Sequence, residues 1–314
     1  MIRTPLCDLL GIEHPIIQGG MAWIATAELA AAVSEAGGLG ILGGGLAPED
    51  SLRDQIRQTR ERTSKPFGVN LALFAPNVDA LAQVCLDEKV SVVATGGGNP
   101  APYIPSFKKA GATVISVVAS VALAKRVERM GSDAIVAEGM ESGGHIGDVS
   151  TFPLVPQVVD AVSVPVVAAG GIADGRGLAA ALALGAAGIQ MGTRFICISE
   201  CIVHDNYKDT VIKASDRSTI STGHSVGHPV RAIKNPFSRK FGELEREGLS
   251  PEQILEFGIG KLRLACKEGD MVDGSVMAGQ SAGLVHDVKP AKELIQDLIA
   301  EAENAISNMS SLVV

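Results

Sequence analysis

The run Ala137-Glu138-Gly139-Met140-Glu141-Ser142-Gly143-Gly144-His145-Ile146-Gly147 sets a histidine in a glycine-rich turn directly after an apolar segment. An imidazole titrates near neutrality, so His145 can give or take a proton or polarise a carbonyl. Gly143, Gly144 and Gly147 stop a helix from continuing through the turn, and Ser132-Asp133-Ala134-Ile135-Val136 reads as the entry to a buried strand. His145 is therefore expected on a loop at a strand's C-terminal end. A histidine hydrogen-bonded to backbone is the ordinary alternative for such a residue taken alone.

Two further loops carry chemistry of another kind. Ala168-Ala169-Gly170-Gly171-Ile172-Ala173-Asp174-Gly175 and Gln190-Met191-Gly192-Thr193-Arg194 each follow an apolar run. Gly170, Gly171 and Gly192 let backbone amides approach an anion, the Thr193 hydroxyl adds a donor, and a helix N-terminus adds a favourable dipole. Tight turns are the plainer reading of the same glycines. Upstream, Gln18-Gly19-Gly20-Met21-Ala22 exposes backbone donors and acceptors, and Asn70 ends a strand with a bifunctional amide. Asn70 alone is equally a turn residue, and Glu138 is either a ligand contact or half of a loop salt bridge. Gly20, Met21, Ala22, Asn70 and Glu138 would border the ring of a planar ligand, with Gly170, Gly171, Gln190, Met191, Gly192 and Thr193 around its phosphate. FMN suits such a site. Gly96-Gly97-Gly98-Asn99-Pro100 lacks the context of a dinucleotide fingerprint and is expected to lower the wall beside the pocket.

The elements that must position these residues alternate. Strands are expected near Pro15–Gly20, Leu39–Gly44, Phe67–Leu73, Ser91–Gly96, Thr113–Val118, Ala134–Gly139, Pro165–Gly170 and Gly188–Gly192. Helical stretches separate them, among them Thr26–Ala36 with Leu29, Ala32, Val33 and Ala36 on one stripe and Thr26 as N-cap. Eight β/α units in succession predict an α/β fold closed as a TIM (β/α)8 barrel rather than an open sheet. After the eighth strand the alternation stops, and a C-terminal cap or insertion is expected over residues 195–270. Residues 1–194 and 271–314 then form the barrel, the latter with a helix near Pro290–Met309. The cap should cover the C-terminal barrel face, with His228, Arg231, Lys234, Arg239 and Lys240 as a local positive rim or, more simply, a solvated charge run.

Composition narrows the function classes. The 314 residues are 46% hydrophobic and 4% aromatic, with a formal charge of −8. That balance supports a large core and argues against a nucleic-acid-binding surface. Five scattered cysteines (Cys7, Cys85, Cys197, Cys201, Cys266) do not form a secreted disulfide framework, so a reducing cytoplasm is expected. Cys197 and Cys201 could share a helix face, but without a completing cluster they read as packing residues and no metal site is expected. The N-terminus lacks a signal-peptide pattern and no apolar stretch is long enough to span a bilayer, so no membrane partner is expected.

Taken together, the chain resembles the FMN-dependent enoyl-acyl carrier protein reductase II family within the wider nitronate monooxygenase-like superfamily. The likeness runs through His14–Trp23, Pro66–Asn70, Ala137–Gly147, Ala168–Gly175, Gln190–Phe195 and Gly274–Gln280, which is nearly the whole chain. The segments Glu138–His145 and Gly227–Asn235 favour the reductase branch. The resemblance implies NADH- or NADPH-dependent reduction, through FMN, of trans-2-enoyl-acyl carrier protein to acyl-acyl carrier protein in bacterial-type fatty-acid elongation. His145 would be its catalytic residue, donating or relaying a proton or polarising the thioester. Relatives also imply a homodimer and stimulation by a monovalent cation, with no ligands assignable here. The alternatives are nitronate monooxygenase, in which His145 abstracts a proton from a nitroalkane and oxygen is consumed, and an FMN-binding sensor without turnover.

Overall fold

The computed structural model describes residues 2–45 and 47–312. Its centre is a closed parallel barrel of eight strands: β1 (Ile16–Gln18), β2 (Leu39–Gly43), β3 (Phe67–Ala72), β4 (Val92–Gly96), β5 (Thr113–Val118), β6 (Ala134–Glu138), β8 (Val166–Ala169) and β9 (Gly188–Met191). The TIM barrel expectation holds, with each barrel strand inside its expected span. These segments are continuous runs of small and β-branched residues because both of their faces are buried. Alternate residues separate into two environments. Ile41, Ala94, Ile115, Val136 and Val167 fill the barrel interior with Leu6, Cys7 and Leu10 of helix Pro5–Leu10, which closes its N-terminal end. Val93, Val114, Ile135, Ala168 and Ile189 instead face the surrounding helices.

Helix Ala27–Glu35 begins after Thr26, but the Thr26 hydroxyl donates to the Glu28 carboxylate at 2.7 Å and caps no backbone N–H. The last helix, Ala291–Ser310, buries Leu294, Ile295, Leu298 and Ile299, as its spacing predicts. It packs on helix Gly175–Ala183 so closely that a Cβ on Gly175 would sit 2.5 Å from the Leu298 carbonyl oxygen. Cys197 follows the short helix Thr193–Ile196 and Cys201 lies beyond it, so the two do not share a helix face; all five thiols are buried and unpaired. Among the described residues no helix is long and apolar enough to cross a membrane.

One element departs from the expected outline. Gly144–His145 is a short strand, β7, hydrogen-bonded antiparallel to β11 (Val230–Ile233), which forms a hairpin with β10 (Thr219–Thr222). His145 therefore lies on the edge of a small second sheet, and its loop is held from above. Two glycine-flanked residues have no strand periodicity, and their partner is distant in sequence, so nothing local announces the pairing. The helices Pro236–Glu247 and Pro251–Gly258 follow the hairpin, each closed by a capping box on Asn235 and Ser250. The outer bounds of the expected barrel division, residues 1 and 314, lie outside the described residues.

Candidate active site

The C-terminal ends of the barrel strands and the elements after β9 enclose a cavity of about 1000 Å³. On β3, β6 and β9 the inward side of the alternation brings Asn70, Glu138 and Gln190 to its floor. None of these three side chains has a hydrogen-bond partner or ion pair among the described residues. Gln190 nevertheless retains only 9% of its accessible surface. Three half-buried to buried polar groups left open toward one space are what a ring with donors and acceptors on its edge requires. Glu138 forms no loop salt bridge; burial pushes its carboxyl up to about 7.

Glycines hold the floor close. A Cβ on Gly20 would lie 2.3 Å from the Asn70 Cβ, and one on Gly43 would lie 2.4 Å from the Met21 carbonyl oxygen. Met21 and Ala22 line the cavity between them. Gly170 and Gly171 adopt φ of 95° and 77°, the left-handed region that favours glycine, and border the same space. Gly192 and Thr193 join them there. The Thr193 hydroxyl oxygen accepts the Gly279 N–H at 2.9 Å, leaving its own proton to be donated.

Two details of the expected site are corrected. The N-terminus of helix Gly175–Ala183 is already occupied by carboxylates: Gly175 N–H donates to Glu301 and Gly177 N–H to Asp174, at 2.9 and 3.1 Å. Its first amides are engaged by side chains, and it is the glycine turns that border the cavity. Met191, one step past Gln190 in the strand alternation, packs its side chain into the outer core at 2% exposure. The residue still borders the cavity, and its carbonyl accepts the Gly19 N–H at 3.0 Å. Gln18, at the start of the same motif, is wholly buried and bonded to both backbone groups of Ile41, which gives it a structural role.

His145 opens into the cavity, and its ring makes no hydrogen bond to backbone among the described residues. The Phe74 ring lies 5.2 Å from it, centroid to centroid, and the His228 ring 6.4 Å away at 89°. Desolvation by the surrounding cavity walls, followed by the neighbouring His228 charge, holds the His145 imidazole below its usual range, although part of the residue stays exposed. The position of His145 follows from the second sheet: Val230 pairs with His145 and Arg231 with Gly144, while the Ile146 N–H donates to the Pro229 carbonyl at 3.0 Å. Arg231, only 5% exposed, donates from Nε to the Met140 carbonyl at 3.0 Å. Its burial lowers the guanidinium from its usual range.

The five cationic residues of the expected rim do not assemble into one. His228 faces the cavity, Arg231 is buried beneath the hairpin, Lys234 donates to the Arg217 carbonyl, and Lys240 pairs with Glu243. Arg239 is exposed on helix Pro236–Glu247. Phe74 is a site residue that carries no sequence signal of its own, and Met277 lies within Gly274–Gln280, one of the segments that carry the family likeness. Met277 belongs to a segment that closes on the histidine turn: a Cβ on Gly143 would lie 2.6 Å from Ala278, and Gln280 N–H donates to the Glu141 carbonyl at 2.9 Å. Among the described residues no three His, Cys, Asp or Glu side chains are grouped to hold a metal ion.

A closed β/α barrel with a glycine-cradled, polar-floored cavity and His145 and His228 at its mouth defines a cofactor-binding barrel enzyme. Residues 3–83 and 75–301 match the family model for nitronate monooxygenase, and the chain belongs to that family of flavin oxidoreductases. It is 53% identical to the solved structure of FabK from Thermotoga maritima, with a TM-score of 0.98 and 100% of each chain covered. A nitronate monooxygenase of Paraburkholderia phytofirmans is 35% identical, over 98% of this chain and 97% of its own length. An indene-carboxyl-CoA dehydrogenase of Mycobacterium tuberculosis is also 35% identical, over 99% of each.

Proposed function

We propose that this chain reduces trans-2-enoyl thioesters on acyl carrier protein to the saturated thioesters, with NADH or NADPH as reductant and FMN as cofactor. The observation that carries the reading is the end-to-end likeness to FabK, an enoyl-acyl carrier protein reductase, well above the identity to the nitronate monooxygenases. The site fits FMN in its donor set: open amides on Asn70 and on Gln190, which sits on the floor with the ring contacts and not beside the phosphate as first expected, a carboxyl on Glu138, and Gly170, Gly171, Gly192 and Thr193 for the phosphate. Bound there, FMN supplies two-electron transfer between the nicotinamide and the enoyl β-carbon.

The chain's own residues do the rest. His145, held largely neutral at neutral pH, offers an N–H to the thioester carbonyl and governs the proton that the α-carbon must receive. Phe74 and His228 restrict its ring on two sides. Phe237, Phe241, Leu255 and Ile259 give the cavity an apolar wall. In this reading residues 195–270 act as the cap, and residues 1–194 with 271–314 as the barrel.

Nitronate oxidation is the second reading, favoured by the same depressed His145 pKa, since a neutral imidazole is the form that abstracts a proton from a nitroalkane. Turnover on both substrates decides between them. The proposal expects NAD(P)H consumption that depends on an enoyl thioester and exceeds nitrite release from nitroalkanes in kcat/KM. Nitrite release under air with no enoyl-dependent nicotinamide oxidation would establish the other chemistry.

A further inference from the structure

The cavity does not end at the barrel axis. Thr95, Ser116 and Val118 lie on the outward side of the alternation in β4 and β5, yet all three line the same cavity, together with Leu123 and Val127 of helix Val121–Arg129. An arm of the cavity therefore passes through the mouth of the barrel and continues between its outer wall and this helix. At about 1000 Å³ the whole space stands at the upper end of ordinary ligand sites, which run from roughly 300 to 1,000 Å³. We infer that this arm receives the unbranched hydrocarbon tail of the acyl substrate, and that Leu123 and Val127 set the chain length it holds. The inference rests on the enoyl-thioester reading and adds to it a specificity site.

The chemistry of the arm is that of a tail and not of a head group. Val118 and Val127 are each 4% exposed, so the arm reaches core residues and not only surface ones. Its two hydroxyls are already engaged, Thr95 with Ser116 at 3.1 Å and Ser116 with Ser132 at 2.8 Å. No charged side chain stands among these lining residues, and an occupant gains nothing there from polar atoms. The arm is also continuous with the reacting end. The Phe74 ring, 5.2 Å from His145, abuts Gly97, where a Cβ would meet it at 2.7 Å. Gly98 is packed against Leu73, its Cβ position 2.7 Å from the Leu73 Cβ, and Gly147 against Ala119, with 2.4 Å between Cβ positions. These glycines border the same cavity, and each lets its loop pack closer to a neighbour than a side chain would allow. The Gly96-Gly97-Gly98 run thus forms part of the wall between His145 and the arm.

Leu123 is 43% exposed, so changing it alters the arm without emptying the core. The experiment compares kcat/KM for trans-2-dodecenoyl-CoA and trans-2-butenoyl-CoA in the holoenzyme and in Leu123→Trp and Leu123→Ala. Leu123→Trp should lower the long-to-short ratio by about tenfold or more, the scale on which an apolar pocket discriminates chain size, and Leu123→Ala should raise it. A ratio unmoved by either substitution, while both substrates are reduced, overturns the arm and leaves the reductase reading standing. Binding of saturated dodecanoyl-CoA, read from the flavin spectrum, separates the reverse case. If neither enoyl thioester is reduced but dodecanoyl-CoA binds at least about tenfold more weakly to Leu123→Trp, the tail site stands and the reductase reading falls. Dodecanoyl-CoA binding that Leu123 does not influence overturns the arm on its own.

Discussion

Desolvation acts in opposite senses on His145 and Glu138. It holds His145 below its usual range, and it raises the Glu138 carboxyl to about 7. His145→Ala should retain FMN and lose roughly 10²- to 10⁴-fold in kcat/KM for enoyl reduction, the range of a general acid–base group; full activity in an FMN-loaded variant would remove His145 from the mechanism. His228→Gln takes a second positive charge away from His145, so the acid limb of the pH profile of kcat/KM should move to higher pH. For Glu138 the sign follows from proton counting. The unfolded carboxyl ionises near its ordinary 4.5 and the folded one near 7, so the folded protein binds more protons between those values and loses stability as pH rises through them. Glu138→Gln should therefore stabilise the FMN-free protein at pH 8.5 relative to pH 4 by up to about 3 kcal/mol, measured by urea unfolding. An equal effect at both pH values would place the carboxylate in water. The sequence pointed to His145, Glu138 and Gln190 through their strand-end positions. It gave no sign of Phe74, which reaches the site only by tertiary folding, and marked Met277 only as part of the Gly274–Gln280 likeness.

At the level of elements, the histidine turn is aligned by a strand pairing with the β10–β11 hairpin, and Arg231 fastens the two. Arg231→Ala leaves the partly buried Met140 carbonyl without its donor, a loss of about 1 kcal/mol. It should therefore lower both unfolding free energy and kcat, and a variant with wild-type kcat would show that the hairpin does not align His145. The barrel strands were legible because burial on both faces writes itself as uninterrupted apolar runs ending in glycine or a polar residue, as in Val166–Ala169 followed by Gly170. Glycine marked the loops equally well. It did not reveal that Gly144–His145 would pair as a strand, because that pairing is chosen by Val230 and Arg231 from a distant part of the chain. The helix dipole expected behind the glycine turns was misplaced for a similar reason: Glu301, which takes up the Gly175 N–H, arrives from the last helix.

At the scale of the molecule, the barrel supplies a rigid floor and the segments after β9 supply the wall above it, so one cavity is bordered by residues from both ends of the chain. The family is settled by that architecture and by end-to-end similarity, whereas the reaction depends on which substrate meets His145. Nitroalkane and enoyl thioester differ most in size, and a cavity with an apolar arm is shaped for the larger of them. The most direct measurement is an anaerobic incubation of the FMN-loaded protein with NADH or NADPH and a trans-2-enoyl thioester, with the product identified by mass. The account predicts the saturated thioester, formed in step with nicotinamide oxidation. Reduced flavin accumulating beside unchanged enoyl thioester would contradict it.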